Sequence, residues 1–406
     1  MSSDQNSLNN TTQSALARAV VGFRILPVNT VNPVVKPLMD SIKMEENEQL
    51  QKSSAGTLAR LLELCQIRTP SPNVKILKNI CIFLCADTEL TPRVSPDDLD
   101  GILMLMQQQR LAEKTAGGKK AQVESDPAGV RAIEIQRRGA VHALKSVASY
   151  FGPDMTGKVP YLWDSILSIQ TTESHSENDA VGYFIYIFLS YHRVYLIYAY
   201  IFCRISKADD LIQCLQILEV IASSLHSSLH AQILDLLPTL CDLLEHQLRA
   251  VRHMASRGLA ALGAVDGDRV LTVVVEKVIP MLGAIDREQM RQGAIEAVAC
   301  LVEQMGMNII PFIVLLVIPV LGRMSDTNQS VRLVATQSFA TLIRLMPLEG
   351  GVPDPPALSP ELAEKKIQQR RFLEQLFDPK KLENYKVQFL NVVFRVGLIL
   401  TKRLPN

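Results

Sequence analysis

The chain has 406 residues, 48% hydrophobic and only 5% aromatic, with 42 basic against 41 acidic side chains and a formal net charge of +1. That near-neutral balance excludes a global field drawing in nucleic acid or an anionic membrane, and the length exceeds what one hydrophobic core normally serves, so a stack of repeats is favoured. Seven cysteines (65, 81, 85, 203, 214, 241, 300) lack CxxC pairs and zinc-spaced histidines, which predicts reduced, mostly buried thiols of a cytosolic or nuclear protein.

Residues 1–14 are rich in Ser, Asn, Gln and Thr; they predict a disordered N-terminus and carry no apolar run of a signal peptide. Helical repeats are expected over 15–86. Asn32-Pro-Val-Val-Lys-Pro-Leu-Met places Pro37 inside a first helix, Gln51 to Leu62 reads as its second helix, and Ser71-Pro72 opens another that carries Ile76, Leu77, Ile80, Phe83 and Leu84. Residues 87–129, with Thr91-Pro, Ser95-Pro and Gly117-Gly-Lys-Lys, predict an exposed insertion between helices. A phosphate loop there is rejected, because no Ser or Thr follows the lysines and no strand precedes them.

A further repeat is expected over 130–180, with Gln136-Arg-Arg-Gly-Ala-Val-His-Ala-Leu in a second helix, Pro160 inside the next first helix and Trp163 in the core. Residues 183–202 hold six of the nine tyrosines and three of the twelve phenylalanines. As a transmembrane helix this run would set His192 and Arg193 at the bilayer centre, at about 2.5 kcal/mol or more for the cation; as an amphipathic anchor it lacks a polar face. The favoured reading is a foreign aromatic insertion over 181–205 that interrupts a repeat.

HEAT repeats are expected over 206–346, and within them, over 238–346, one helix-pair pattern is written three times. The copies begin at Pro238, Pro280 and Pro319, pass through a polar turn and reach Arg252-x-x-Ala255, Arg291-x-x-Ala294 and Arg332-x-x-Ala335, the arginines 39 and 41 residues apart. Such a period predicts an all-α fold, a HEAT-repeat α-solenoid built as a right-handed superhelix of antiparallel helix pairs. The prolines are expected to bend the first helices. Asp286 and Asp326 precede Arg291 and Arg332 by five and six residues, so each acid can pair with an arginine of its own or the adjacent repeat, a role that satisfies the turns of a stack. Histidines 226, 230, 246 and 253 lack the accompanying carboxylates or thiolates of a metal site. A Pro/Gly linker over 347–358, a helix over 359–386 capped by Ser359, and a divergent apolar tail over 387–406 complete the chain.

The runs Lys277-Val-Ile-Pro-Met-Leu-Gly-Ala-Ile-Asp, Gly293-Ala-Ile-Glu-Ala-Val-Ala-Cys, Val314-Leu-Leu-Val-Ile-Pro-Val-Leu-Gly-Arg-Met-Ser-Asp, Phe339-Ala-Thr-Leu-Ile-Arg-Leu-Met-Pro-Leu-Glu and Lys381-Leu-Glu-Asn-Tyr-Lys resemble the TATA-binding-protein-associated factors of the B-TFIID complex. The match covers most of residues 8–386, omits the aromatic insertion, and implies a fragment that covers C-terminal HEAT repeats of the family's array and lacks the ATPase. That resemblance implies a HEAT array joined to a Snf2-type ATPase that strips TATA-binding protein from promoter DNA in the nucleus. It implies TATA-binding protein as a partner, engaged directly or indirectly, the family's ATPase domain as another, and promoter DNA only through the complex.

The chain contains no GxxxxGK[ST] and no acidic helicase box, so the expectation is a non-enzymatic scaffold without cofactor, ATP belonging only to the full-length family. Competing readings are a generic HEAT adaptor and a membrane-associated protein using residues 183–202.

Overall fold

A computed structural model describes residues 2–92, 127–174 and 193–345 and the single positions Glu364, Ile367, Gln368 and Arg371. Every regular element among them is helical, as the repeat pattern predicts. The insertion core 93–126, residues 181–192 of the aromatic segment, the linker 347–358, nearly all of 359–386 and the tail 387–406 lie outside the described residues. Two compact units are present: Met1–Thr239 with Leu248–Met254, and Leu240–Gln247 with Ala255–Asn406. The boundary therefore falls inside the stretch expected to be one block over 206–346.

The first unit opens with α1 (Ser2–Gly22), followed by α2 (Asn32–Met44) and α3 (Glu48–Leu64). Helix α1 corrects the expectation of disorder over 1–14. Its apolar end buries Ala17 and Val21 and packs on α2 and α3. Once that turn is docked, each residue added upstream gains a backbone hydrogen bond without a new nucleation cost, and Ser14 is buried with its hydroxyl donating to the Thr11 carbonyl at 2.9 Å.

Helix α2 carries Pro37 in its interior as expected and buries Val34, Leu38, Met39 and Ile42; α3 starts at the Asn47 cap, whose side chain accepts from the Gln49 and Leu50 amides. A second pair is α4 (Asn73–Leu84) and α5 (Pro127–Phe151), and a third is α6 (Pro160–Ser174) and α7 (Arg193–Ile221). The expectation that Pro160 lies inside a first helix is corrected: it is the first residue of α6, where a missing N–H has no partner to lose. Trp163 is buried as predicted. Residues 193–205, assigned to the foreign insertion, form the beginning of α7 and run without a break into the expected second helix. Second helices α3 and α5 pack together, as do α5 and α7.

Helices α8 (Leu237–Leu243) and α9 (Arg249–Gly263) are divided between the units. The rest of the second unit comprises α10 (Gly267–Val273), a π-helical turn Val274–Val278, α11 (Ile279–Leu282), α12 (Glu288–Met305), α13 (Ile313–Arg323) and α14 (Gln329–Leu345). First helix touches first helix, α11 on α13, and second helix touches second helix, α12 on α14. The apolar run Glu288–Arg323 is long enough in composition to cross a membrane, but Gly306 at φ +51 ends α12 and a 3-10 turn intervenes before α13. It is thus two helices, whose Leu301, Val302, Leu315, Leu316 and Val320 are buried.

Candidate functional site: the buried arginine rungs

The first helix and second helix of each repeat meet at a turn whose last carbonyls need donors. In α12 the buried Arg291 supplies them: Nη1 donates to the Ala284 and Ile285 carbonyls at 2.8 and 2.6 Å. The same guanidinium crosses to the next repeat, where Nε and Nη2 donate to the two oxygens of Asp326 at 2.9 and 3.2 Å. The side chains of Arg291 and Asp326 are 6% and 2% exposed, and a bidentate pair so enclosed is among the stronger polar contacts a protein makes.

Asp326 is held from its other side by Arg323, whose Nη1 lies 3.1 Å from Oδ2, and by the Asn328 amide at 2.9 Å from Oδ1. Burial pushes the Asp326 carboxyl up, but the Asn328 amide, Arg291 and Arg323 together outweigh it and hold it below the usual carboxylate range. Asn328 in turn caps α14 by accepting from the Val331 amide at 3.0 Å. Arg332, one repeat on, donates to the Asp326 and Thr327 carbonyls at 2.6 and 2.9 Å.

The sequence expectations fare unevenly. Asp326 pairs with the arginine of the preceding repeat, one of the two options foreseen, and Arg332 uses the backbone oxygen of Asp326. Asp286, expected to pair with an arginine, stands exposed in its turn and is not a partner of Arg291. The Ala284 and Ile285 carbonyls, just before Asp286, already occupy Nη1, and the remaining nitrogens face Asp326. Arg252 is buried in α9 at 2% exposure.

Of the prolines, Pro319 lies inside α13 as expected. Pro238 instead stands second in α8, where it begins the helix and does not bend it. Pro280 stands second in α11, directly after the π turn. Its ring excludes the carbonyl four residues back, and the wider π turn gives that carbonyl room.

Among the histidines, His226 accepts from the Ser228 amide at the start of a turn and His230 Nε2 lies 3.2 Å from the Leu225 carbonyl, so both serve local backbone.

A second rung that sequence reasoning did not single out occupies the first unit. Arg137 on α5, only 9% exposed, donates from Nη1 to the Leu84 carbonyl at the end of α4 at 2.8 Å and lies 3.4 Å from Gln216 Oε1 on α7. Thr91 Oγ1 joins them, donating to Gln216 Oε1 at 2.8 Å. Like Arg291, this arginine closes the turn of its own repeat and reaches the next.

Two residues beyond each arginine stands a glycine, Gly139 and Gly293. A Cβ at Gly139 would collide with the Ile42 carbonyl oxygen, and one at Gly293 with the Leu244 carbonyl oxygen. The shared spelling Arg-x-Gly-Ala at 137–140 and 291–294 was the available signal. Beside Gly139, Gln51 donates to the Ile42 and Ile135 carbonyls at 2.8 and 2.9 Å and accepts from Arg138 Nε at 2.7 Å.

These rungs bring backbone oxygens, guanidinia and one carboxylate together in closed sets, an arrangement that binds repeat to repeat. Residues 1–165 match a family described as a domain of unknown function, DUF3535. Along 91% of its length the chain is 40% identical to the human TATA-binding protein-associated factor 172. The chain matches one segment of the TATA-binding protein-associated factors. Two further relatives among these factors are mot1 of Schizosaccharomyces pombe, 33% identical over 92% of the chain, and BTAF1 of Arabidopsis thaliana, 34% identical over 94%. The chain spans about a fifth of the length of these relatives, 22%, 19% and 18% respectively.

Proposed function

We propose that this chain is a non-catalytic HEAT-repeat scaffold segment of a nuclear transcription regulator that acts on TATA-binding protein at promoter DNA. The observation that carries this reading is the 40% identity to human TATA-binding protein-associated factor 172 over 91% of the chain. In this reading the removal of TATA-binding protein from DNA draws its energy from a Snf2-type motor, and the helix pairs transmit strain, since each repeat contacts only its neighbours. Pro238, Pro280 and Pro319, the arginines 252, 291 and 332, and Asp326 serve architecture and not a ligand.

The experiment is retention of the purified chain on immobilised TATA-binding protein, with ATP hydrolysis measured in parallel. The expected result is specific retention with no hydrolysis above buffer. A helical, monodisperse chain that is not retained, or that hydrolyses ATP, overturns the proposal.

A further inference from the structure

Between α3 and α5, both second helices of the first unit, runs a cleft of about 500 Å3. Ser53, Gly56, Ala59 and Arg60 line it from α3 and Ser146, Ser149 and Tyr150 from α5. Gly56 has nothing within 4 Å of where a Cβ would stand, so the cleft is open to an incoming main chain.

Helix serines and threonines usually donate back to a carbonyl one turn earlier. Thr57 does so to Ser53 at 2.8 Å, and elsewhere Ser165 and Ser338 do the same. Among the described residues the hydroxyls of Ser53, Ser146 and Ser149 and the guanidinium of Arg60 have no hydrogen-bond or ion-pair partner. Tyr150 directs its hydroxyl to Glu63 Oε2 at 2.5 Å.

The cleft thus offers several donors and a cation, while the helix carbonyls beneath are engaged in their own ladders. The hydroxyls can donate or accept, so the Arg60 guanidinium, a donor only, selects an occupant that brings acceptors and negative charge. It must also be thin, for the cleft runs between two helices and is lined by small residues, Gly56 and Ala59 among them. Exposed Lys145, four residues before Ser149 on α5, adds a second cation to that face, and Lys52 at the other side is tied to Glu48 at 2.8 Å.

We propose that this cleft binds an extended acidic peptide segment of a partner protein, its main chain lying over Gly56 and a carboxylate paired with Arg60. The proposal is independent of the TATA-binding-protein reading, since it rests only on the cleft's own donors.

Fluorescence anisotropy of the full 406-residue chain with a labelled Asp/Glu-rich peptide tests it, against a lysine-rich peptide of equal length and a short DNA duplex. Saturable binding of the acidic peptide alone is expected. Arg60→Glu is expected to weaken it by about tenfold or more, the worth of one charge-assisted hydrogen bond. Gly56→Leu fills the cleft and is expected to abolish binding while the thermal midpoint holds or rises. Binding equal in wild type and both variants, no saturable binding, or tighter binding of the duplex through Arg60 overturns the proposal.

Discussion

Arg291 on α12 grips the carboxylate of Asp326 in the following repeat with two hydrogen bonds, at 2.9 and 3.2 Å, while its third nitrogen closes the turn behind it. Removing one partner strands the other in a dry site. Asp326→Asn or Arg291→Met is therefore expected to cost about 3–5 kcal/mol. Urea unfolding of both single variants and the double variant checks this. The double variant should lose much less than the sum of the singles, because the residues act through one contact.

The depressed Asp326 pKa gives the contact a pH signature. A carboxyl whose folded value lies below its unfolded one, near 3.9, stabilises the fold above that unfolded value and loses the contribution as pH falls through the folded value. The stability difference between wild type and Asp326→Asn is expected to be full at pH 7 and to shrink below about pH 4. Chemical unfolding at a series of pH values reads it directly.

At glycines 139 and 293 an added Cβ would stand 1.8 and 2.0 Å from a carbonyl oxygen, whereas Gly56 faces open space. Alanine at either of the first two should force neighbouring helices apart and cost about 2–3 kcal/mol. Gly56→Ala should instead stabilise by about 1 kcal/mol, through helix propensity. Thermal melts of the three variants give the comparison.

Helix α1 ends in a reciprocal cap: the Ile25 amide donates to the Val20 carbonyl and the Arg24 amide to Val21, with Arg24 at φ 57. That conformation favours glycine. Relief of the side-chain clash, set against glycine's greater freedom when unfolded, leaves Arg24→Gly more stable by about 0.5–1 kcal/mol. Arg24→Ala, which retains a Cβ, should show no such gain.

Burial pushes the thiols of Cys81 and Cys241 up to about 12 and about 11. Neither should react with a thiol reagent in the folded chain at pH 8, since attack requires thiolate and access. Mass spectrometry after timed alkylation should find label at the half-buried Cys85 and Cys300 before either.

The period of the arginines, the interior prolines 37 and 319 and the buried Trp163 were legible because each follows from local spacing. Asp326 was legible as one of two candidates and Asp286 was not separable from it. Both are turn acids at nearly equal offset from an arginine, and only the three-dimensional path of the Arg291 side chain chooses between them. Arg137 escaped notice because its repeat is interrupted by the long stretch after α4, which hides the forty-residue register. The N-terminal helix was missed for a different reason. Polar residues of weak intrinsic preference are carried into helix by the docking of Ala17 and Val21 downstream.

Native-state hydrogen exchange on wild type and Asp326→Asn tests most directly whether buried arginines tie successive helix pairs into a stack. The prediction is a loss of amide protection shared by α12, α13 and α14, with α2 to α5 unchanged, because each repeat leans only on its neighbours. Uniform loss across the whole chain, or no loss in those three helices, would contradict it.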